Sequence, residues 1–304
     1  MVIEEIASIF LKALFPVVLV AGIGVLADRF LRFDLRSVSR LGLYIFAPAL
    51  IFTSLMEVQV NISESFRVLL FGMITMFGMA LIGWLYAHLC RFDGKMRSSV
   101  VLSVSMFNAV NFGFPFLLFA FGDEGLRLGV VLVACNGLFH NGFATFVAAR
   151  AVQPINQAFR ALWRMPVVYA TGLAVLFRLF DLPIPDAVFQ PIAKLGLAGI
   201  PLLLVVVGME LGRAGFGTVC GKVWGAVALR LLVAPVLAWS VASLVGLTGP
   251  LRDVVILQVS MPTAILPIIY AREFGSNVGF LSQVVLFSTL LSLLTLPILL
   301  ILLQ

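Results

Sequence analysis

The amino-acid sequence predicts an all-α integral membrane protein: about ten transmembrane helices in two inverted five-helix repeats, with one helix of each repeat broken at mid-membrane. Three observations carry that expectation. Of 304 residues, 62% are hydrophobic and 11% charged, and the mean hydropathy is +1.15; soluble domains carry about 25% charge. Two heptapeptides, Val100-Val-Leu-Ser-Val-Ser-Met106 and Val255-Ile-Leu-Gln-Val-Ser-Met261, are nearly the same and sit inside long apolar runs. Each leads into a helix-breaking cluster, Phe107-Asn-Ala-Val-Asn-Phe-Gly-Phe-Pro115 in the first half and Pro262-Thr-Ala-Ile-Leu-Pro267 in the second. A break at that depth frees N–H and C=O groups that lipid cannot satisfy, so the unwound backbone must be buried in protein or line a cavity.

Apolar windows long enough to cross about 30 Å of hydrocarbon fall at residues 6–27, 38–57, 66–90, 96–121, 124–149, 165–181, 187–211, 218–245, 250–273 and 277–303. The chain opens with Glu4 and Glu5 and lacks a basic stretch with a small-residue cleavage site, so the first window is expected to remain as a span. Pro16-Val-Val-Leu-Val-Ala-Gly-Ile-Gly-Val-Leu26 recurs as Pro166-Val-Val-Tyr-Ala-Thr-Gly-Leu-Ala-Val-Leu176, and Leu41-Gly-Leu43 as Leu195-Gly-Leu197. The recurrence divides the chain into a first repeat at 1–149, a short polar link at 150–164 containing Pro154, and a second repeat at 165–304. An odd number of spans per repeat makes the second copy cross the bilayer in the opposite sense.

The net charge of +6 is spread through the loops rather than gathered in a patch, which argues against nucleic acid as a partner. Alternate loops hold the larger share of it: Arg29, Arg32, Arg36 and Arg40; Arg91, Lys95 and Arg97; Arg150, Arg160 and Arg164; Arg213 and Lys222; and Arg272. The other side has Lys12, Arg67, Arg127, Arg178, Lys194 and Arg252. The positive-inside rule therefore places the first set in the cytoplasm and both termini on the non-cytoplasmic side of the cell's inner membrane. Cys90, Cys135 and Cys220 are far apart and odd in number, so they read as small buried side chains rather than a disulfide framework or a metal site.

The breaks have a definite chemistry. A half-helix that starts at mid-membrane presents unpaired N–H groups and the positive end of its dipole, which suits a carboxylate. Pro115 and Pro267 stand where such half-helices would restart, because proline needs no donor in the first turn. Asn108 and Asn111 in the first break, with Gly113 between them and Pro115, and Ser260 and Thr263 around Pro262 in the second, can bond freed carbonyls or a substrate. In the fifth window Asn136 and His140 lie one turn apart with Asn141 beside them; His140 reads either as a proton-relay or substrate group or as a neutral histidine packed between helices. Arg230 sits near the centre of the eighth window, where an unpaired cation costs at least about 3 kcal/mol. It must face the interior, either as a tether to carbonyls or in contact with an anion. Gln258 and Gln283 are weaker candidates, and Glu210 and Glu273 fall at cytoplasmic helix ends. No acidic residue is expected in the middle third of any span, which disfavours proton coupling through a buried carboxylate. Sodium held by backbone carbonyls and by Asn, Ser, Thr or Gln oxygens, and uniport driven by membrane potential, both remain open. Paired carboxylates, a zinc HExxH and a GxSxG elbow are all missing, so an enzyme is not expected, nor any cofactor.

Several of these segments resemble the auxin efflux carrier family. In the second half the similarity runs through Ala228-Leu-Arg230-Leu-Leu-Val-Ala-Pro235, Ile256-Leu-Gln258-Val-Ser-Met-Pro262-Thr-Ala-Ile-Leu-Pro267 and Tyr270-Ala-Arg272-Glu273-Phe. In the first half Asn108, Gly113, Pro115 and Gly122 fall at the family's spacing, and Pro16 and Pro48 match prolines of its first two spans. The resemblance implies a ten-helix carrier of organic anions, a homodimer, related in fold to bile-acid symporters. In it a transport domain of spans 3–5 and 8–10 slides like an elevator against a scaffold of spans 1, 2, 6 and 7. It also implies that Asn108 contacts the substrate carboxylate at the crossing of spans four and nine, with Pro262 forming the partner crossing. This chain has Phe107 where the plant carriers have proline, and a short link where they have a long polar loop. The short link resembles bacterial members, for which dicarboxylates such as malate or malonate are expected; auxin is not implied. A sodium-coupled symporter of the bile-acid type is the alternative within transport, and a receptor or channel the alternative outside it.

Overall fold

The structure, a computed structural model, describes residues 14–58, 61–149, 166–214 and 221–303 together with Leu11. Glu4, Glu5, Lys12, Cys220 and the 150–164 link with its three arginines lie outside the described residues, and for Arg36, Asn141, Arg272 and Glu273 only the backbone is described. Every described element is helical, in the order α1 Phe15–Leu31, α2 Leu35–Leu41, α3 Ala47–Glu57, α4 Ile62–Leu89, α5 Gly94–Ser105, α6 Phe114–Ala149, α7 Pro166–Leu179, α8 Asp186–Ala214, α9 Gly221–Ala228, α10 Ala234–Leu244, α11 Gly249–Val259, α12 Leu266–Phe274 and α13 Val278–Leu303. Three wide turns complete it: π1 Gly42–Phe46 joins α2 to α3, π2 Ala109–Gly113 precedes α6, and π3 Leu229–Val233 joins α9 to α10.

Each wide turn has the same cause in the sequence. Pro48, Pro115 and Pro235 each stand two residues beyond the end of one, and a proline lacks the N–H that would close the preceding α turn while its ring crowds the carbonyl four residues back. The turn relaxes to π geometry instead of kinking sharply, and π turns of this kind recur at functional sites.

A helix lies in every one of the predicted windows. Among the described residues, five stretches are singly long and apolar enough to cross a membrane: 37–57, 63–89, 186–213, 221–244 and 278–303. α1 is described over 17 residues, Phe15–Leu31. The runs 94–121 and 249–274 are each cut in two by the breaks, and α7 has 14 residues. Within α6 the chain doubles back at Gly122 (φ 69°, ψ −162°), a conformation open only to glycine. The Leu117 side chain fills the space beside Gly129, although an unbroken helix would hold these residues about 18 Å apart. Gly122 is therefore the turn between the predicted fourth and fifth windows.

The helices pack in two groups. In the first, α8 lies along α1 and α3, and α3 along α7; Gly24 and Gly208 let the backbones of α1 and α8 touch, because a Cβ on either would overlap Val205 or Ala21 of the other helix. In the second, α4 packs on α5, α6 and α10, α11 on α6 and α10, and α13 on α5, α9 and α12. Polar groups collect at opposite ends. At one end Glu57 pairs with Arg127 at 3.1 Å, Arg178 donates to the Leu55 carbonyl and Arg67 to that of Gly246. At the other end Arg213 pairs with Asp28 and bonds the Phe33 carbonyl, and Tyr86 donates to the carbonyl of Lys222. Residues that the loop charges assign to one membrane face thus meet one another. Cys90 corrects the expectation of burial, since it is exposed at the end of α4 where the helix meets solvent or headgroups; Cys135 is half-buried, and both thiols are free.

Candidate functional site

The two breaks meet. Phe107 and Thr263 face each other as an isolated antiparallel bridge; the Asn108 N–H donates to the Pro262 carbonyl at 2.8 Å and the Ala264 N–H to the Met106 carbonyl at 2.9 Å. Each break therefore supplies the partners that the other lost on leaving the helix, which meets the demand for internal satisfaction in an apolar medium. Thr263 fastens the crossing to its neighbours: its hydroxyl donates to the Ser103 carbonyl at 2.8 Å and its N–H to the Ser288 hydroxyl at 3.1 Å. All four of Phe107, Asn108, Pro262 and Thr263 are buried.

Four helix ends converge here with opposite polarity. α5 and α11 arrive with their C-termini, and Arg230, wholly buried in π3, donates to a carbonyl of each, Val104 at 2.9 Å and Val259. A cation between two helix C-termini balances both negative dipole ends. Two of the Arg230 nitrogens thus bond carbonyls, Nε has no partner among the described residues, and the guanidinium lies over the Phe107 ring at 5.8 Å. The departing ends are the N-termini of π2 with α6 and of α12, opened by Pro115 and Pro267, both buried. Asn108 heads π2 without capping it, and its side-chain amide has no hydrogen-bond partner among the described residues; its own carbonyl accepts from the Gly113 N–H at 2.9 Å. Asn111 is half-exposed on π2, which rests against α8.

The remaining predicted residues divide. Gln258 is buried and reaches across to the crossing, Nε2 donating to the Ala109 carbonyl at 3.3 Å, while its Oε1 has no partner among the described residues. His140 sets its ring edge-on to Phe107, centroids 5.0 Å apart, with Nε2 unpartnered among the described residues. Asn136 turns the other way: its amide donates to the Val68 carbonyl of α4 at 3.1 Å and to that of Leu132 at 3.2 Å, in space left by Gly72. The Ser260 hydroxyl bonds its own helix at the Ile256 carbonyl, 2.7 Å. The side chain of Asn141 lies outside the described residues, and Gln283 is half-buried on α13. Ser103 and Ser288 take part without having been singled out from sequence, and Phe107, noted there as the residue in place of a proline, packs against both Arg230 and His140. Ser288 with Ser292 left a readable signal, two hydroxyls one turn apart in a strongly apolar span, a pattern that suits a helix contact.

The sequence pattern of the family described as membrane transport protein matches residues 9–146 and 149–300. The chain belongs to that family. Among its relatives, an uncharacterized transporter of Methanothermobacter thermautotrophicus is 25% identical over 295 residues, 97% of this chain and 96% of that protein. One from Methanocaldococcus jannaschii is 22% identical over 214 residues, 68% of each chain. Auxin efflux carrier component 3a of Oryza sativa subsp. japonica is 31% identical over 142 residues, 44% of this chain but 23% of the plant protein. The resemblance to auxin efflux carriers read from the residues is borne out, and the chain is a multi-pass membrane transporter by family.

Proposed function

We propose that this membrane transport protein carries small organic anions, carboxylates in particular, by alternating access, and that substrate binds where the two breaks cross. One observation supports this above the others. Arg230 is bonded to both helix C-termini at the crossing, so their negative ends are balanced, while both N-termini and the Asn108 amide, which makes no cap bond and has no partner among the described residues, remain to receive an anion. In this reading the chain makes ten spans in two inverted repeats, 1–149 and 165–304. Spans 1, 2, 6 and 7 (α1, α2–α3, α7, α8) form the scaffold and the others an elevator-type transport domain. The two packing groups support that division, and π2 rests on α8 at their boundary, where a moving site would need to lie. The protein is proposed to work as a homodimer in the inner membrane with both termini outside, driven by membrane potential. A sodium-coupled mechanism is favoured by one feature, the buried Gln258 Oε1, which has no partner among the described residues and is an oxygen available to a cation.

Proteoliposome uptake and thermal-shift binding with monocarboxylates, dicarboxylates and indole acids test the reading. At least one carboxylate should stabilise the wild type, Asn108→Ala should weaken that binding about tenfold or more with the unliganded melting temperature unchanged, and a sodium gradient should leave uptake unaltered. Wild-type affinity in Asn108→Ala would move the site elsewhere, and sodium-dependent uptake would favour the symporter.

A further inference from the structure

A cavity lies away from the crossing. It encloses ≈ 980 Å³ between α4, the start of α5 and the end of α6, and a second cavity of ≈ 490 Å³ follows on along α4, sharing Phe77 and Leu81 with it. Together they follow α4 from Leu70 to Trp84, a rise of about 21 Å, which exceeds the roughly 15 Å of one leaflet. The wall is apolar and open to the outside: Phe77, Leu81 and Trp84 are 49%, 57% and 42% exposed. Phe77 and Phe143 pack edge-to-face at 5.5 Å, and Ser98 closes the floor by donating to the Val147 carbonyl at 2.9 Å.

The chemistry changes at one end only. There Lys95 and Arg97 line the mouth with Asp93, whose carboxylate already accepts the Met96 N–H at 2.7 Å as the cap of α5. Arg97 bonds the Phe92 carbonyl weakly, at 3.4 Å, and its Nε is buried without a partner among the described residues. A long apolar trough with a basic mouth, and a tryptophan at the depth where the polarity changes, matches an amphiphile with one anionic end.

We propose that this trough is a binding site for an anionic phospholipid of the bilayer, its phosphate at Lys95 and Arg97 and an acyl chain along Phe77 and Leu81. The charge complementarity of the mouth and the lipid-facing exposure of the wall select this occupant over a soluble anion, which would leave the trough empty. All three walls belong to α4, α5 and α6, so bound lipid ties together the helices that also lead to the first break.

Thermal unfolding of the purified full chain in detergent, with dioleoyl phosphatidylglycerol, dioleoyl phosphatidylcholine or glycerol 1-phosphate added, tests this directly. The anionic lipid should raise the melting temperature about 5 °C more than the zwitterionic one, and glycerol phosphate should do nothing. Lys95→Gln with Arg97→Gln should remove most of that excess, Lys95→Arg with Arg97→Lys should keep it, and Arg29→Gln, an exposed charge elsewhere, should leave it whole. Leu81→Asn should reduce it with the charges intact, which keeps the proposal testable if the double variant does not fold. Equal shifts from both lipids, the same shift from glycerol phosphate, or an undiminished excess in the double variant or in Leu81→Asn would overturn it.

Discussion

Arg230→Met isolates what the buried guanidinium does. In the wild type it donates to the carbonyls of Val104 and Val259, and hydrogen bonds from a charged donor contribute about 1.5–3 kcal/mol each. Methionine fills much the same space, so packing changes little, but two carbonyls at buried helix ends lose their donor. Removing the cation also removes its own burial cost, which offsets part of the loss. A net destabilisation of about 3–5 kcal/mol follows, or roughly 6–10 °C in melting temperature for a chain of this size. Arg230→Lys should lose about half as much, because an ammonium is a point donor that cannot span both carbonyls with a fixed fork. Thermal unfolding in detergent measures the shift, and carboxylate binding measured well below it supplies the control. Binding by the folded fraction of Arg230→Lys should persist. If Arg230→Met unfolds within about 2 °C of wild type and yet binds nothing, the guanidinium holds the substrate and the tether argument is wrong.

Three further variants probe the frame around the site. Thr263→Val removes the bond to the Ser103 carbonyl and should cost about 1–2 kcal/mol of stability with affinity kept, since the hydroxyl is already engaged; a loss of affinity at unchanged melting temperature would refute that. Gly208→Val puts side-chain atoms into the Ala21 backbone and should destabilise by about 3 kcal/mol, whereas Gly22→Ala, with nothing within 4 Å of its Cβ, should be neutral; equal effects would mean that α1 and α8 are not held in close contact. Gly72→Ala intrudes on the Asn136 amide and should cost about 1–3 kcal/mol. In the Asn136→Ala background the same change should cost little, and full additivity in that double-mutant cycle would show the pair to be independent.

The helices and their breaks were legible because both follow from local chemistry. Apolar length set the windows, and Pro115, Pro262 and Pro267 marked where helices could not continue. Gly122 was legible too, as the gap between two windows, though not that a single residue makes the whole turn. The wide turns were not read, although Pro48, Pro115 and Pro235 encode all three, because hydropathy is blind to how a helix accommodates a missing N–H. Side-chain roles were harder. Arg230 and Thr263 bond backbone carbonyls, which every residue possesses, so no pattern of residue types could name those partners. Asn136 and His140 lie one turn apart in sequence yet bond toward α4 and pack toward the crossing, respectively, a divergence set by which neighbour each helix face meets.

The crossing itself shows why broken helices come in pairs. One break in lipid strands donors and acceptors together, and filling the gap with polar side chains would attract water and leave the site without selectivity. Two antiparallel breaks need only each other: Asn108 with Pro262 and Ala264 with Met106. Side chains are then free for charge, and the chain uses a single cation, placed at the two C-termini, to remove half of the electrostatic field. What remains at the N-termini is a partial positive charge with no carboxylate bonded to it among the described residues. On the proposed reading an anion bound there would complete the balance, and after its departure the Arg230 bonds to both carbonyls would still hold the crossing together. A carrier working by the proposed alternating access has to return empty, and a tether that does not depend on substrate would make that return possible.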